Sequence, residues 1–118
     1  MNLAKRVHQL NDLVAAFRYE VAHDTFYAPD LIKHENENAP TVGLPQHRRE
    51  MKHFLIKISN ASAVPLHTIV SDEMSVTEWH YRFDHLDWGP RDFKQLSIQR
   101  WKAGKITHER HHYKTDRW

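Results

Sequence analysis

Apolar positions follow two rhythms along this chain. Leu3, Val7, Leu10, Val14 and Phe17 recur at helical spacing behind Asn2, a residue type suited to capping a helix start. A second, shorter helix is expected from about Tyr19 to Tyr27, stopped by Pro29. Leu31 to Glu35 reads as a short strand, and Asn36 to Leu44 as a loop carrying Pro40 and Gly43. Pro45 suits the first turn of a third helix, whose apolar stripe is Met51, Phe54, Leu55 and Ile58. From residue 62 the period falls to two. Strands are expected near Pro65–Ser71, Met74–His85, Phe93–Lys102 and Lys105–Tyr113, with turns at Ser71 to Glu73, Asp87 to Pro90 and Ala103-Gly104. Helices first and hairpin-joined strands afterwards predict an α+β fold of order ααβαββββ. Its curved, mixed, mostly antiparallel sheet would wrap around the N-terminal helices.

The 118 residues suit one domain spanning 1–118, and thirteen aromatics supply large side chains for its core. No apolar run reaches the roughly 20 residues of a membrane span. Charges as early as Lys5, Arg6 and Asp12 are not those of a secretory leader. Cysteine is absent, which excludes disulfides, thiolate catalysis and Cys-ligated zinc and fits a reducing, cytoplasmic setting. The net charge is +2, yet residues 91–118 hold eight basic and three acidic side chains. With Trp101, Tyr113 and Trp118 nearby, that stretch has the composition of a nucleic-acid face. No five like charges run together, so a solvated strand surface is the expectation and nucleic acid is not an expected partner.

His108-Glu109-Arg110-His111-His112 matches the zinc-protease pattern HExxH. That chemistry needs a helix to bring both histidines onto one metal, and here the motif follows a turn and alternates as a strand. No metal and no cofactor are expected. The other histidines lack ligand spacing, but His34 and His108 each sit on a predicted strand, where an imidazole can serve as acid or base near neutral pH. The segment from His34 to Gly43 alternates amides and carboxylates ahead of a Pro/Gly turn, so Asn36 and Glu37 are either a solvated loop or a polar rim to a cavity. Trp79, Tyr81 and Phe83 alternate on one strand and Trp101 lies on the next. Such aromatics build a core or line an apolar pocket equally well.

Four segments together resemble the SnoaL-like branch of the nuclear-transport-factor-2-like superfamily, the cystatin-like α+β cone. They are Phe26 to His34, Pro40-Thr41-Val42-Gly43, Val76 to His80, and Arg100-Trp101-Lys102-Ala103-Gly104-Lys105-Ile106-Thr107-His108-Glu109. The resemblance implies a cone-shaped pocket between sheet and helices, and commonly a homodimer through the sheet. In its ketosteroid-isomerase relatives the general-base carboxylate falls at His34 here and the oxyanion-stabilising acid at Ser97. Both positions depart from that pattern, while dehydratase relatives use histidine bases. If Ser97 faces the cavity, a two-residue Ala103-Gly104 turn places Gln99, Trp101, His108 and Arg110 on the same face. One residue more or less would send the 106–112 set to the other side.

The expected catalytic groups are therefore His34, His108 and Ser97. Asn36, Glu37, Trp79, Tyr81, Gln99 and Trp101 are expected to line the ligand site. One reading is a cofactor-free isomerase, cyclase or dehydratase working on a small hydrophobic cyclic or carbonyl compound by histidine acid–base chemistry. The other is a non-catalytic ligand-binding or dimerisation module. Leu96 and Ile98, beside Tyr113, are expected on the outer sheet face, where burial requires a second copy.

Overall fold

Asn2 caps the first helix, α1 (Leu3–Ala15), by accepting the Lys5 N–H on its Oδ1 at 3.0 Å. The computed structural model describes residues 2–115, and Trp118 of the basic C-terminal stretch lies outside them. Val7, Leu10 and Val14 are buried along one stripe of α1, as their spacing dictates. Phe17 adopts a left-handed backbone (φ 58) that ends this helix before α2 (Tyr19–Phe26) begins. There follow β1 (Tyr27–Glu35), β2 (Thr41–Val42), α3 (Leu44–Leu55), β3 (Ile58–Ser71), β4 (Met74–His85), β5 (Gly89–Lys102) and β6 (Lys105–His112). Among the described residues no helix is long and apolar enough to cross a membrane.

The six strands form one sheet in the order β2-β1-β6-β5-β4-β3. Among the described residues only β1 and β6 run parallel; every other neighbouring pair is antiparallel. The architecture is the expected α+β arrangement, with helices against one face of a mixed sheet. Val7, Leu10, Phe26, Leu31, Trp101 and Ile106 form the centre of the core between them.

Several boundaries differ from the sequence reading, and Thr41–Val42 pairs as β2 inside the segment expected to be a loop. β1 starts at Tyr27, because it already pairs with Ile106 of β6. Ile58 opens β3 instead of closing the third helix; it lies opposite His85. β3 is an edge strand, which is where a strand tolerates Pro65.

The β5–β6 hairpin carries the decisive detail. Ala103 (φ 51) and Gly104 (φ 78) form a two-residue turn with both backbones left-handed, and Arg6 ties it to α1 through two hydrogen bonds to the Gly104 carbonyl at 2.8 and 3.1 Å. Trp101 then opposes Ile106, as the turn predicts, but the next pair is Arg100 with His108. Thr107 is the extra residue of a β-bulge. Beyond it Gln99 opposes Glu109 and Ser97 opposes His111, in place of the expected His108 and Arg110. Glu109 and His111 therefore turn to the helix-covered face, and His108, Arg110 and His112 to the other.

Candidate functional site

Strand alternation writes the concave face of the sheet as rows of side chains running across it. One row passes through Ser75, Gln99, Glu109 and Lys33; the next through Thr77, Ser97, His111 and Glu35. Beyond these polar rows lie Trp79 with Gln95, then Tyr81 with Phe93. Helices α1 and α3 cover the face incompletely. The gap is a cavity of about 260 Å³ whose wall includes all four aromatic or amide residues of the last two rows.

The polar rows are bonded into a network around Glu109, which is 3 % exposed. Its Oε2 accepts from the Tyr27 hydroxyl at 2.6 Å and from Gln99 Nε2 at 2.7 Å, while Oε1 lies 3.1 Å from His111 Nε2. Burial works against charge on this carboxyl. The charge of a protonated His111 and its hydrogen bond, with the Tyr27 hydroxyl, outweigh burial and hold it below the usual carboxylate range. Burial first, and then Glu109, push the Tyr27 phenol well above its ordinary value, so Tyr27 is the donor of that pair.

An ionised carboxylate can only accept, so Nε2 of His111 carries a proton, and in the neutral ring Nδ1 is the acceptor. Nδ1 lies 2.9 Å from Ser97 Oγ and 3.1 Å from Gln95 Nε2. Gln95 also donates to Ser97 Oγ at 3.2 Å, which frees the Ser97 hydroxyl proton for Nδ1. A continuous chain thus runs from the cavity wall at Ser97, through the imidazole, to the buried carboxylate. Behind it Ser75 donates to Gln99 Oε1 at 2.8 Å and Trp101 Nε1 donates to Ser75 at 2.9 Å, which fixes the Gln99 amide with its NH₂ towards Glu109.

The opposite wall comes from α3 and β1. His47, 3 % exposed, stacks on Tyr27 with ring centroids 5.6 Å apart, and its Nδ1 is buried without a hydrogen-bond partner. Burial lowers its pKa to about 3, so it is neutral at pH 7. Lys33, 5 % exposed, holds its Nζ 3.6 Å from Glu35 and 3.8 Å from Glu50. Glu50 is fixed in turn by the Thr41 hydroxyl at 2.6 Å.

Of the residues expected from sequence, Ser97, Gln99, Trp79 and Tyr81 line this cavity together. Trp101 points to the same side but is buried deeper, edge-on to Phe26 at 6.1 Å, and forms no part of the cavity wall. His34 is not brought into the cavity: on β1 the inward positions are Lys33 and Glu35, and His34 lies between them. His108 is exposed on the outer face because Thr107 shifts the register. Asn36 faces a shallow outer hollow and pins the loop: its N–H donates to the His111 carbonyl at 2.8 Å, and its Oδ1 accepts the Tyr113 N–H at 2.9 Å. Glu37 is exposed in the turn. The Tyr113 hydroxyl belongs to the cavity side, donating to Glu35 at 3.1 Å, while the residue also borders the outer hollow with Leu96. The residues missed were Tyr27, Lys33, Glu35, His47, Gln95, Glu109 and His111. Among the described residues no group of three or more histidine and acidic side chains could hold a metal ion.

The sequence profile of the SnoaL-like domain matches residues 7–109. No curated protein matches the chain by sequence. A candidate polyketide cyclase from Silicibacter superposes with a TM-score of 0.84 at 15% identity, over 98% of this chain and 91% of that one. A candidate SnoaL-like polyketide cyclase from Mesorhizobium loti gives 0.82 at 16% identity, over 94% and 98%. A protein with a ketosteroid isomerase-like fold from Catenulispora acidiphila, in complex with trimethylamine, gives 0.66 at 16% identity over 76% and 71%. At such identities the likeness is one of fold.

Proposed function

The chain belongs to the SnoaL-like domain family, and on that premise we propose that it binds a small cyclic carbonyl compound and moves a proton on it without a cofactor. The observation that carries this is the Ser97–His111–Glu109 chain, which ends at the wall of a cavity rich in aromatic side chains. His111 Nδ1 is the base. Ser97 either relays the proton to it or, once the substrate oxygen displaces that bond, donates to the oxygen. Glu109 holds the imidazole in one tautomer and stabilises the imidazolium that forms, as a buried carboxylate does behind a catalytic histidine. Trp79, Tyr81 and Phe93 supply walls for the ring. The histidine chemistry expected of His34 or His108 is thereby reassigned to His111.

The test is exchange of the α-protons of 2-tetralone in D₂O, followed by proton NMR. The parent protein is expected to accelerate exchange, and His111→Gln to lose about 10²–10⁴-fold of that acceleration. His34→Ala and His108→Ala should exchange at the parent rate. Binding without accelerated exchange would assign the cavity to a non-catalytic binding module.

The outer sheet face supports a homodimer. Ile69 (67 % exposed), Val76, Leu96 (43 % exposed) and Ile98 form an apolar strip on β3, β4 and β5. Light scattering at micromolar concentration is expected to give twice the chain mass, and Leu96→Asp to return it to one. A monomeric parent would remove the claim.

A further inference from the structure

The walls of the cavity carry three carboxylates, Glu35, Glu50 and Glu109, against one ammonium, Lys33. Lys33 stands between Glu35 and Glu50, so one negative charge at that end is left unbalanced. Glu109 adds a second, and its neighbour His111 lies within hydrogen-bond reach of it. Of the arginines of α3, Arg48 is paired with Asp24, while Arg49 donates to the neutral Gln46 amide and its charge acts on Glu50. An anionic ligand would enter against this field, and a neutral one would leave it uncompensated.

Two further features favour a positive guest. Aromatic rings make up much of the wall, among them Tyr27, Phe54, Trp79, Tyr81, Trp88 and Phe93. Ring faces attract an organic ammonium through their quadrupole, and most strongly where water is excluded. On α3, one turn from Glu50, His47 has a buried Nδ1 without a protein partner, and as a neutral imidazole it has a lone pair for an N–H⁺ donor.

We propose that the natural occupant of the cavity is an organic cation, an apolar ring compound bearing a protonated or quaternary amine whose charged head lies where His47 and Glu50 of α3 face Glu35 of β1. This rests on the reading of the cavity as a ligand site and adds the charge of the ligand. Its ring extends along Trp79 and Tyr81 towards Ser97.

The experiment uses three probes of similar size: phenyltrimethylammonium, its neutral isostere tert-butylbenzene, and benzoate. Binding is read from quenching of tryptophan fluorescence, since Trp79 and Trp88 line the cavity. The cation is expected to bind about tenfold or more tighter than the isostere, and benzoate weakest. The double variant Glu35→Gln, Glu50→Gln, checked by circular dichroism to be folded, should lose about tenfold in affinity for the cation and none for the isostere. If the isostere or benzoate binds as tightly as the cation, or the double variant keeps its full preference, the inference fails while the cavity remains a ligand site. If none of the three binds, the ligand-site reading fails with it.

Discussion

Glu109→Leu is expected to lower the unfolding free energy by about 3–5 kcal/mol, close to the whole stability of a small domain. The leucine matches the volume but accepts nothing. It leaves the Tyr27 hydroxyl, Gln99 Nε2 and His111 Nε2 without their acceptor in a region where Glu109 itself is 3 % exposed. Each orphaned donor costs about 1–3 kcal/mol. Glu109→Gln keeps one carbonyl oxygen and should cost roughly half as much, but its NH₂ must oppose at least one of three donors. Urea unfolding at pH 7.5 measures both. A loss under about 1 kcal/mol for the leucine variant would mean that water, not the carboxylate, satisfies these donors.

Acid should unfold the domain well above the carboxylate range. Burial lowers His23 to about 4 and His47 to about 3, whereas the unfolded chain takes up both protons near 6.5. Between those values the unfolded state binds more protons than the folded one, so stability is complete above about pH 6.5 and falls as pH drops towards 4. The two groups together remove on the order of 5 kcal/mol over that interval. The Glu109 charge offsets burial only in part, for among the described residues His23 Nε2 and His47 Nδ1 have no hydrogen-bond partner, and the rings meet edge to face at 4.7 Å. Urea midpoints from pH 7.5 to 4 should therefore fall steeply. His47→Phe should flatten that slope by about half; an unchanged slope would show that other groups govern acid unfolding.

What could be read from the sequence was whatever burial imposes on spacing. Val7, Leu10 and Val14 mark α1 because one stripe must be apolar, and Trp79, Tyr81, Ser97 and Gln99 share the cavity because strand residues two apart share a face. The end of α3 was not legible. Ile58 continues the helical stripe of Met51, Phe54 and Leu55 but is the first residue of β3. The side to which His34 turns was not legible either, since Leu31 and Ile32 are both apolar and either could face the core. The structure buries Leu31 fully, which sends Lys33 and Glu35 inward. The reassignment from His108 to His111 turns on Thr107, whose place as a bulge depends on Arg100 pairing with His108 and leaves no mark in composition or period.

That single threonine acts like a frame shift in a message read two letters at a time. With Thr107 bulged out, the hairpin delivers a carboxylate and an imidazole to the cavity; were Thr107 instead to pair with Arg100, the same eight-residue strand would deliver His108, Arg110 and His112. The strand therefore stores two pocket chemistries out of phase, one anionic and one basic, separated only by whether Thr107 bulges out or pairs with Arg100. Point substitutions would have to exchange several side chains at once to travel as far. In a fold that hosts many activities, such a hairpin lets the charge of a binding site invert while the turn, the strand order and the core row of Trp101 and Ile106 stay where they are.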